Sequence, residues 1–423
     1  MEFPNLLKGR RIVVGVTASI AAYKTAELVR LFIKAGAEVR VVMSEESKKF
    51  VTPLTFEALS SNVVLHSDTE SWANENNHIA LATWAELFVV APATANTINK
   101  LSNGIADNLL LQTAIACKTP KLLAPAANTV MLESPITQAS LKMLKLNGYT
   151  LADEQVGLLA CKVEGRGAMA DPLQVFYLAA RTLLTDPYYA MRGVVISGGG
   201  TIERLDDVRY LSNFSSGKMA KALVLQAYFK GADVCYITTK PDADLPLGAH
   251  VIPVESAQAM QESVTDALRE AKKGVMSKPT LLDDSRPVLV QKKPFFFAAA
   301  AVSDYTPAFP QSGKLKKETV GESWKPELKK GTDILKTVDK TGTYTIGFKA
   351  EFDAANAREA AAKMMTEKAL DGVCLNILGG DINFGSDASR MEVMTANGTI
   401  TLEKASKLQI ASGILETCKG LGE

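Results

Sequence analysis

The chain has 423 residues, of which 47% are hydrophobic, and its formal net charge at pH 7 is +1. This length and composition are typical of a globular protein with two or three domains, and the near-neutral charge does not indicate a surface for nucleic acid or another polyanion. No amino-terminal stretch has the pattern of a secretion signal and no apolar run reaches about 18 residues, so we expect neither secretion nor insertion into a membrane.

The spacing of the cysteines bears on the cellular compartment. The chain has five of them, which are Cys117, Cys161, Cys235, Cys374 and Cys418. Because they lie far apart in the sequence with no paired spacing, they argue against a disulfide framework and against a zinc cluster. We therefore expect a cytoplasmic protein with reduced thiols.

The first part of the chain alternates strand and helix patterns. Residues 12–16 form a run rich in β-branched side chains, and a turn of small residues leads from it into a helix. The expected inner face of that helix consists of Ala21, Leu28, Leu31, Phe32 and Ala35. Further apolar runs at 87–91 and 122–124 are separated by helical patterns, and this alternation predicts a parallel sheet.

A second unit of the same kind begins after a proline-bearing break near residue 187. Residues 194–197 form a new strand, and a glycine-rich turn follows it. We therefore predict two domains, 1–187 and 188–423. The charged and proline-bearing stretch 271–293 is interpreted as an exposed insertion without chemistry.

Four stretches of the first domain carry residues suited to chemistry. The turn 15–19 joins the end of a strand to the start of a helix, where a phosphate-bearing cofactor can bind, and a bare tight turn is the alternative. His78 opens a helix and is either a reactive residue or an ordinary surface histidine. Asn128 follows another strand, in a loop where it can hydrogen-bond a carboxylate or an amide. Cys161 lies among glycines, which favours a thiol on a moving flap rather than a buried structural cysteine.

In the second domain, the stretch SNFSSGKMA at 212–220 is typical of a phosphate-binding loop. Its SSGK segment, 215–218, comes just before an apolar helical pattern, so a loop of small residues opens a helix. The glycine spacing of a Walker A loop is absent. The run KLKK, which begins at Lys314, would by itself be interpreted as a solvated group of charges.

Seven segments and the glycine-rich stretch around Cys161 together resemble one known family along essentially the whole chain. The segments are GVTASIAAYK, NHI, PATANT, PAAN, RYLSNFSSGKMA, AAVSDY and KLKK. The family is the bacterial bifunctional phosphopantothenoylcysteine decarboxylase/phosphopantothenate-cysteine ligase of coenzyme A synthesis. The resemblance implies an α/β fold of two consecutive Rossmann-like domains, an FMN-binding flavoprotein (cysteine decarboxylase) domain and a nucleotide-binding ligase domain.

The resemblance assigns the decarboxylase chemistry to FMN and three residues. Oxidation of the thiol-bearing carbon by FMN gives a thioaldehyde, which accepts the electrons released with carbon dioxide, and the resulting ene-thiolate is then reduced and protonated. By the same resemblance His78 supports the oxidative step, Asn128 holds the substrate carboxylate or amide, and Cys161 supplies the proton. The residues implied around FMN are Thr17, Ala18, Ser19, Ser44, Pro92, Ala93, Thr94 and Asn96.

The resemblance also assigns a ligase reaction to the second domain. The carboxylate of 4′-phosphopantothenate forms an acyl-nucleotide with loss of pyrophosphate, and the amine of cysteine then displaces the nucleotide. The implied nucleotide is CTP, with ATP as the alternative, and the implied metal is Mg²⁺. Lys314 is assigned to the first half-reaction, Asn213 to the second, and Asp304 to the metal or ribose. The nucleotide-binding residues implied beside Lys314 are Gly198, Gly199, Ser215, Ser216, Gly217, Lys218, Ala298, Ala299, Ala300, Asp304, Gly331, Thr332, Asp333, Ile334, Phe348, Lys363 and Lys368.

Some positions depart from the family pattern. Ala127 stands where the family usually has methionine, and Ile202 and Asp207 stand where it has arginine and proline. A common NPDI element appears as GTDI at 331–334. These differences leave the expected fold unchanged, and because of them ATP stays open as an alternative to CTP.

The expected partners are small molecules, namely 4′-phosphopantothenate, cysteine and the nucleotide. We expect no nucleic acid or membrane partner. The resemblance implies trimers of the decarboxylase domain and dimers of the ligase domain, and hence a homo-oligomer as large as a dodecamer.

Two other classes of protein are compatible with parts of the sequence. A non-catalytic flavin-binding regulator of the same fold would not need His78 and Cys161, and release of carbon dioxide from the substrate would exclude it. A dinucleotide-dependent oxidoreductase would have a G-x-G-x-x-G turn, which follows neither opening strand. A flavin spectrum of the purified protein would exclude this second class.

Overall fold

A computed structural model gives the fold of the chain in two compact units. The first unit is Met1–Thr185 with Lys278–Pro287, and the second is Asp186–Ser277 with Val288–Glu423. The structure describes residues 2–158, 164–277, 279–281, 286–316, 322–353, 355–379, 383 and 385–422. The domain limits drawn from the sequence, 1–187 and 188–423, stay a prediction. They did not anticipate that the short segment near residue 281 joins the first unit, in which the Leu281 N–H donates to the Leu146 carbonyl.

A five-stranded parallel sheet forms the centre of the first unit. Its strands are β1 (Arg11–Val16), β2 (Glu38–Met43), β3 (Leu87–Ala93), β4 (Lys121–Pro125) and β5 (Thr150–Leu151). Their order in the sheet is β2-β1-β3-β4-β5, and all neighbours are parallel. The strands β1 and β3 are almost entirely buried, as expected when helices cover both faces of a parallel sheet.

Helices surround this sheet, and several of them start directly after a strand. They are α1 (Ala22–Lys34), α2 (Pro53–Ser60), α3 (His78–Trp84), α4 (Ala95–Ser102), α5 (Leu109–Ala116), α6 (Thr129–Glu133), α7 (Pro135–Leu146) and α8 (Pro172–Leu184), with a 3₁₀ turn at Glu45–Lys49. The side chains of Asn77, Thr94 and Asn128 cap α3, α4 and α6 by accepting hydrogen bonds from backbone N–H groups. These caps fix the starts of the helices at which the predicted site residues lie.

A separate antiparallel hairpin precedes α8. It consists of β6 (Gln155–Leu158) and β7 (Glu164–Ala168), which pair with each other and not with the parallel sheet. Cys161 belongs to the residues between these strands, and it lies outside the described part of the chain.

The second unit is built on an eight-stranded mixed sheet. Its strands are β8 (Gly193–Gly198), β11 (Asp233–Thr238), β12 (His250–Pro253), β15 (Phe295–Ala298), β18 (Tyr344–Glu351), β19 (Gly372–Ile377), β20 (Ala388–Thr395) and β21 (Gly398–Ser406). The order is β12-β11-β8-β15-β18-β19-β20-β21. The first six of these are parallel, whereas β20 and β21 add an antiparallel edge. The predicted α/β class is confirmed, and the antiparallel edge is an addition that the sequence patterns did not indicate.

Smaller elements complete the second unit. Three short antiparallel pairs are β9 (Ile202–Arg204) with β10 (Tyr210–Ser212), β13 (Val275–Met276) with β14 (Leu289–Val290), and β16 (Tyr305–Pro307) with β17 (Leu328–Lys330). The helices are α9 (Lys218–Phe229), α10 (Ala257–Ala271), α11 (Ile334–Thr337), α12 (Ala357–Glu367) and α13 (Lys407–Lys419), with a final 3₁₀ turn at Gly420–Gly422. The stretch 271–293 contains the β13–β14 pair, and its described side chains are exposed or half-buried.

Four cysteines lie in the described part of the chain, and none of these four forms a disulfide. Cys117, Cys374 and Cys418 are buried, and Cys235 is half-buried. Among the helices of the described residues, none has both the length and the hydrophobicity that a membrane span requires.

Candidate active sites

The ends of β1 and β3 form one connected site in the first unit. Thr17 is buried, and its hydroxyl donates to the Pro92 carbonyl at 2.7 Å. The same hydroxyl oxygen accepts the Thr94 N–H at 3.2 Å, while the Thr94 side chain caps α4. Residues from two of the predicted FMN segments, 75 or more positions apart, are thereby held together.

Ser19 and Ser44 extend this site toward α1 and β2. The Ser44 N–H donates to the Val16 carbonyl at 3.0 Å, so Ser44 lies next to the end of β1. The Ser19 hydroxyl accepts the Ala21 N–H at 3.2 Å in the turn before α1. The N-cap residue of α1 is Ala21, and its side chain makes no capping hydrogen bond. The first turn of α1 contains no acidic residue.

This arrangement fits the phosphate of FMN. Hydroxyl groups and backbone N–H groups of a helix N-terminus are the donors that a phosphate needs, and the helix dipole favours the negative charge. Ala18 follows β1 and is half-buried, and Ala93 is buried at the end of β3, so each of these two positions carries only a methyl side chain. Pro92 and Asn96 complete the predicted segment, with Asn96 exposed in the first turn of α4.

His78 has two neighbours that the sequence did not point out. It is the first residue of α3, and its Nδ1 atom lies 3.4 Å from the Oε1 atom of Glu70. The ring of Trp72 stands perpendicular to the imidazole with a centroid separation of 5.6 Å. Glu70 and Trp72 come from the loop before α3, and no periodic spacing links them to His78. Only the fold shows that this carboxylate lies beside the imidazole.

Asn128 is exposed at the start of α6, beside the return strand of the hairpin. Its Oδ1 atom accepts the Val130 N–H at 3.0 Å. The Ala127 N–H donates to the Gly167 carbonyl at 3.0 Å, and the Thr129 hydroxyl donates to the Arg166 carbonyl at 2.8 Å. The residues on both sides of Asn128 are therefore bonded to β7.

Gly167 is required for this close approach. Its φ angle is +137°, and a Cβ atom built there would lie 2.1 Å from the Ala127 carbonyl oxygen. Lys24 of α1 also holds the base of the hairpin, since its Nζ atom donates to the Met169 carbonyl at 3.0 Å and to the Gln155 side chain at 3.3 Å. The sequence assigned no role to Lys24.

A cavity of about 190 Å³ in the second unit gathers many of the predicted nucleotide-binding residues. It is lined by residues of β8, β15 and β18 and by the loops that follow β15 and β17. The predicted residues in its lining are Ala298, Ala300, Asp304, Gly331, Thr332, Asp333, Ile334, Phe348 and Lys368. Ser197, Ser303 and Met364 also line it and were not predicted.

Opposite charges meet inside this cavity. The Nζ atom of Lys368 lies 2.9 Å from the Oδ2 atom of Asp333, whose carboxylate also caps α11 by accepting the Lys336 N–H. The Asp304 carbonyl accepts the Gly331 N–H at 2.7 Å, and this bond joins the two loops of the lining. In the described part of the chain, no group of three or more His, Cys, Asp or Glu side chains is placed to hold a metal ion. Asp304 is a single carboxylate, so a Mg²⁺ ion bound there would take its other ligands from water or a substrate.

The glycine turn and the SSGK loop lie against each other but do not line the cavity. Gly217 has a φ of +71° at the start of α9, and a Cβ atom there would lie 3.9 Å from the Gly199 nitrogen. Gly198 precedes Gly199 at the end of β8. The Lys218 side chain donates to the Gly385 carbonyl at 2.9 Å and pairs with Asp387. The sequence-predicted loop 215–218 therefore stands beside the glycine turn, with its lysine charge compensated.

The remaining predicted ligase residues are placed differently. The Asn213 Nδ2 atom donates to the carbonyl of Val302, a cavity residue, at 3.0 Å. Lys314 is exposed and is not in the cavity lining. Lys363 is also outside the lining, with 73% of its side chain exposed and an ion pair to Glu367. Ala299 is half-buried next to the lining. The structure thus brings Asn213 close to the cavity and leaves Lys314 and Lys363 at the surface.

Two family models cover nearly the whole chain. The Flavoprotein family matches residues 2–183, and the DNA/pantothenate metabolism flavoprotein C-terminal domain matches residues 189–279 and 283–421.

Curated relatives match both halves together. The coenzyme A biosynthesis bifunctional protein CoaBC of Haemophilus influenzae is 35% identical, over 97% of this chain and 97% of its own length. The protein of the same name from Bacillus subtilis is 34% identical, over 99% of this chain and 98% of its own length. A solved structure of a PPC decarboxylase mutant complexed with pantothenoylaminoethenethiol is 32% identical to this chain, with a TM-score of 0.38. The match covers 41% of this chain and 97% of the chain in that structure. The chain therefore belongs to the family of bifunctional coenzyme A biosynthesis proteins, with a flavoprotein domain followed by a pantothenate-metabolism domain.

Proposed function

We propose that the chain joins 4′-phosphopantothenate to cysteine and then decarboxylates the product to 4′-phosphopantetheine. The observation that carries the proposal is that residues predicted for each reaction meet at strand ends in their own unit. Thr17, Pro92 and Thr94 meet at the ends of β1 and β3, and nine predicted residues line the cavity of the second unit. In open α/β sheets these are the places where ligands bind.

In the decarboxylase half, FMN supplies, when bound, the reversible two-electron chemistry that protein side chains lack. We assign its phosphate to the N-terminus of α1 and the hydroxyls of Ser19 and Ser44, while the Thr17 hydroxyl, which donates to the Pro92 carbonyl, holds the two strand ends of the FMN site together. The assignment is supported by the bonds that connect Thr17 and Ser44 to neighbouring strand ends.

Three residues of the chain would act on the decarboxylase substrate. The Nδ1 atom of His78 faces Glu70, so Nε2 is the ring nitrogen that we assign to proton transfer with the substrate in the oxidative step. The exposed side chain of Asn128 would hold the substrate carboxylate while the bond from this carboxylate to Cα breaks and carbon dioxide leaves. We assign the final proton to the Sγ atom of Cys161, which lies outside the described residues.

In the ligase half, a carboxylate oxygen of phosphopantothenate attacks the α-phosphorus of CTP and pyrophosphate leaves. The cysteine amine then attacks the acyl carbon, and the nucleoside monophosphate leaves. We assign the nucleotide to the cavity with Lys368, Asp333 and Phe348, and Mg²⁺ to Asp304 together with nucleotide phosphates. Lys314 would neutralise charge on the phosphates in the first step, and Asn213 would act in the second.

The test is to incubate the purified protein with FMN, phosphopantothenate, cysteine, Mg²⁺ and either CTP or ATP, and to identify the products by mass. We expect phosphopantothenoylcysteine first and phosphopantetheine later, with CTP preferred over ATP. Supplying phosphopantothenoylcysteine directly tests the decarboxylase half alone. Absence of carbon dioxide release in that reaction, with FMN bound, would favour a flavin-binding regulator and overturn the proposed decarboxylase.

The cellular compartment and the oligomeric state of the enzyme are also part of the proposal. The four free thiols of the described residues suit the reducing cytoplasm. We also propose trimers of the flavoprotein domain and dimers of the ligase domain, and a stable monomer in analytical ultracentrifugation would contradict this.

A further inference from the structure

The turn of the β9–β10 hairpin contains a buried carboxylate. The Asp206 side chain has no exposed surface. Its Oδ1 atom accepts the Val208 N–H at 2.8 Å and the Arg209 N–H at 2.6 Å. Asp206 therefore fixes the backbone of the turn in which it lies.

The same turn also holds a second segment, more than a hundred residues further along the chain. The Oδ2 atom of Asp206 accepts the Leu315 N–H at 3.2 Å, and the Oδ2 atom of Asp207 accepts the Gly313 N–H at 2.8 Å. These two bonds lie on either side of Lys314. The Gln311 N–H donates to the Leu205 carbonyl at 3.0 Å and extends the attachment.

Arg209 contacts both the Asp206 carboxylate and the second segment. Its Nη1 atom lies 3.2 Å from Oδ2 of Asp206, and its Nη2 atom donates to the Leu315 carbonyl at 3.3 Å. Burial by itself raises the pKa of Asp206, but the hydrogen bonds from Val208, Arg209 and Leu315 and the charge of Arg209 bring it below its ordinary value. The carboxylate is thus ionised at neutral pH and accepts all of these bonds.

The hairpin connects this attachment to Asn213. Strand β10 ends at Ser212, so Asn213 directly follows it, and its amide donates to the Val302 carbonyl. One short hairpin therefore holds the backbone around Lys314 at its turn and leads to Asn213 at its end. A long lysine side chain on an exposed loop needs such a fixed base if its charge is to reach one place repeatedly.

We propose that Asp206 and Asp207 are positioning residues, which fix the Gly313–Lys314–Leu315 backbone so that Lys314 acts in the same ligase site as Asn213. The inference rests on the proposed ligase function, and it adds the residues through which Lys314 is placed. Asp206 carries the larger part, because it is buried and bonded to both segments, whereas Asp207 is exposed and accepts one bond from the loop.

The experiment is a double-mutant cycle on acyl-nucleotide formation, measured by rapid quench with phosphopantothenate, CTP and Mg²⁺ and without cysteine. The variants are Asp206→Asn, Lys314→Gln and the double variant, with Asp266→Asn as the control. Asp266 is an exposed aspartate of the same unit, paired with Arg269 on α10. Nucleotide affinity is measured separately by equilibrium binding, thermal unfolding checks the folding of the second unit, and the decarboxylase rate of each variant serves as a control for the amount of active protein.

We expect Asp206→Asn to slow acyl-nucleotide formation by about 10- to 100-fold while nucleotide affinity changes less than about 3-fold. We expect the double variant to be no slower than Lys314→Gln, because Asp206 acts through the lysine. Asp207→Asn should slow the step by roughly 3-fold. The control and all decarboxylase rates should be unchanged.

Additive effects in the double variant, or a normal rate in Asp206→Asn, would overturn the proposal. If Asp206→Asn melts below the assay temperature, the cycle is run with Asp207→Asn, whose side chain is exposed, and the same criteria decide. Failure of the unmodified protein to make any acyl-nucleotide is a different result, and it would contradict the proposed ligase function itself.

Discussion

The Nζ atom of Lys368 lies 2.9 Å from the Oδ2 atom of Asp333, and both side chains line the cavity of the second unit. The carboxylate of Asp333 thereby holds the Lys368 ammonium group in the cavity, where its other N–H groups would donate hydrogen bonds to the proposed nucleotide. We expect Lys368→Met to raise the KM for the nucleotide by about tenfold, because one charge-assisted hydrogen bond is lost. Steady-state ligase kinetics at varied nucleotide concentration measure this effect.

Lys363 provides the matched control for that substitution. Lys363 lies on α12 and Lys368 directly follows this helix, but the Lys363 side chain is mostly exposed and is outside the cavity lining. Lys363→Met should leave the KM for the nucleotide within about twofold. Equal effects at both lysines would place the nucleotide elsewhere.

A second prediction concerns Glu70, which faces the Nδ1 atom of His78. Glu70→Ala removes the group that orients the imidazole, so we expect the decarboxylase kcat to fall between about 10- and 100-fold. FMN binding, followed by flavin fluorescence, and the ligase rate should be unchanged. Glu27→Ala, on the exposed side of α1, is the control and should behave like the original protein. Loss of FMN from Glu70→Ala would instead give Glu70 a role in holding the cofactor.

The hairpin supplies a third prediction through two of its glycines. Gly167→Ala puts a Cβ atom against the Ala127 carbonyl at a φ of +137°, which costs about 1–3 kcal/mol in backbone strain alone. We expect the bond between Ala127 and Gly167 to break and the decarboxylase rate to fall at least about tenfold.

Gly157 on β6 is the natural comparison for Gly167. A Cβ atom at Gly157 meets nothing within 4 Å. Gly157→Ala should therefore retain the decarboxylase rate, and the ligase rate should be normal in both variants. A normal decarboxylase rate in Gly167→Ala would show that the contact of β7 with the Asn128 loop is dispensable.

The fourth prediction is a pH dependence of stability near Ser44. Hydrogen bonds from Lys48 and Ser67 outweigh burial and lower the pKa of Glu45 from 4.5 to about 2. Since the pKa is lower in the folded state, the contribution of Glu45 is present above about pH 4.5 and is lost as the pH falls toward 2. Glu45→Gln should destabilise the protein at pH 7 by at most about 1 kcal/mol, because half of the side chain is exposed and solvent screens the pair.

Thermal unfolding of Glu45→Gln and the original protein between pH 3 and pH 7 measures this difference. We expect the gap between the two melting temperatures to narrow as the pH falls. Glu46→Gln removes a pair between two exposed side chains, with Lys49, and serves as the control. A gap that widens at low pH would contradict the assigned sign.

The strand and helix patterns identified the central strands of both sheets from the sequence. The apolar run 12–16 corresponds to β1, and 194–197 to β8, because buried parallel strands are continuously hydrophobic. The antiparallel edge was missed for a physical reason. Strands β20 and β21 are joined by a tight turn at 396–397. The alternation of strand and helix patterns in a sequence indicates only parallel strands with helical crossover connections, so it does not reveal such a hairpin.

The candidate sites were predicted in part. Family segments located the lining of the cavity, but the bonds from Asp206 and Asp207 to the Lys314 loop join residues more than a hundred positions apart. Glu70 likewise reaches His78 through the path of a loop. Such side-chain contacts have no sequence period, so only the folded chain reveals them.

The thiols of the second unit, two of them buried and that of Cys235 half-buried, are expected to resist chemical labelling. Burial raises the pKa of Cys235 to about 11 and that of Cys418 to about 12, and it raises the pKa of Cys374 as well. Alkylating reagents attack the thiolate, so at neutral pH these three cysteines are poor targets. If iodoacetamide rapidly inactivates the decarboxylase reaction, we therefore expect peptide mapping to find the modified cysteine in the first unit.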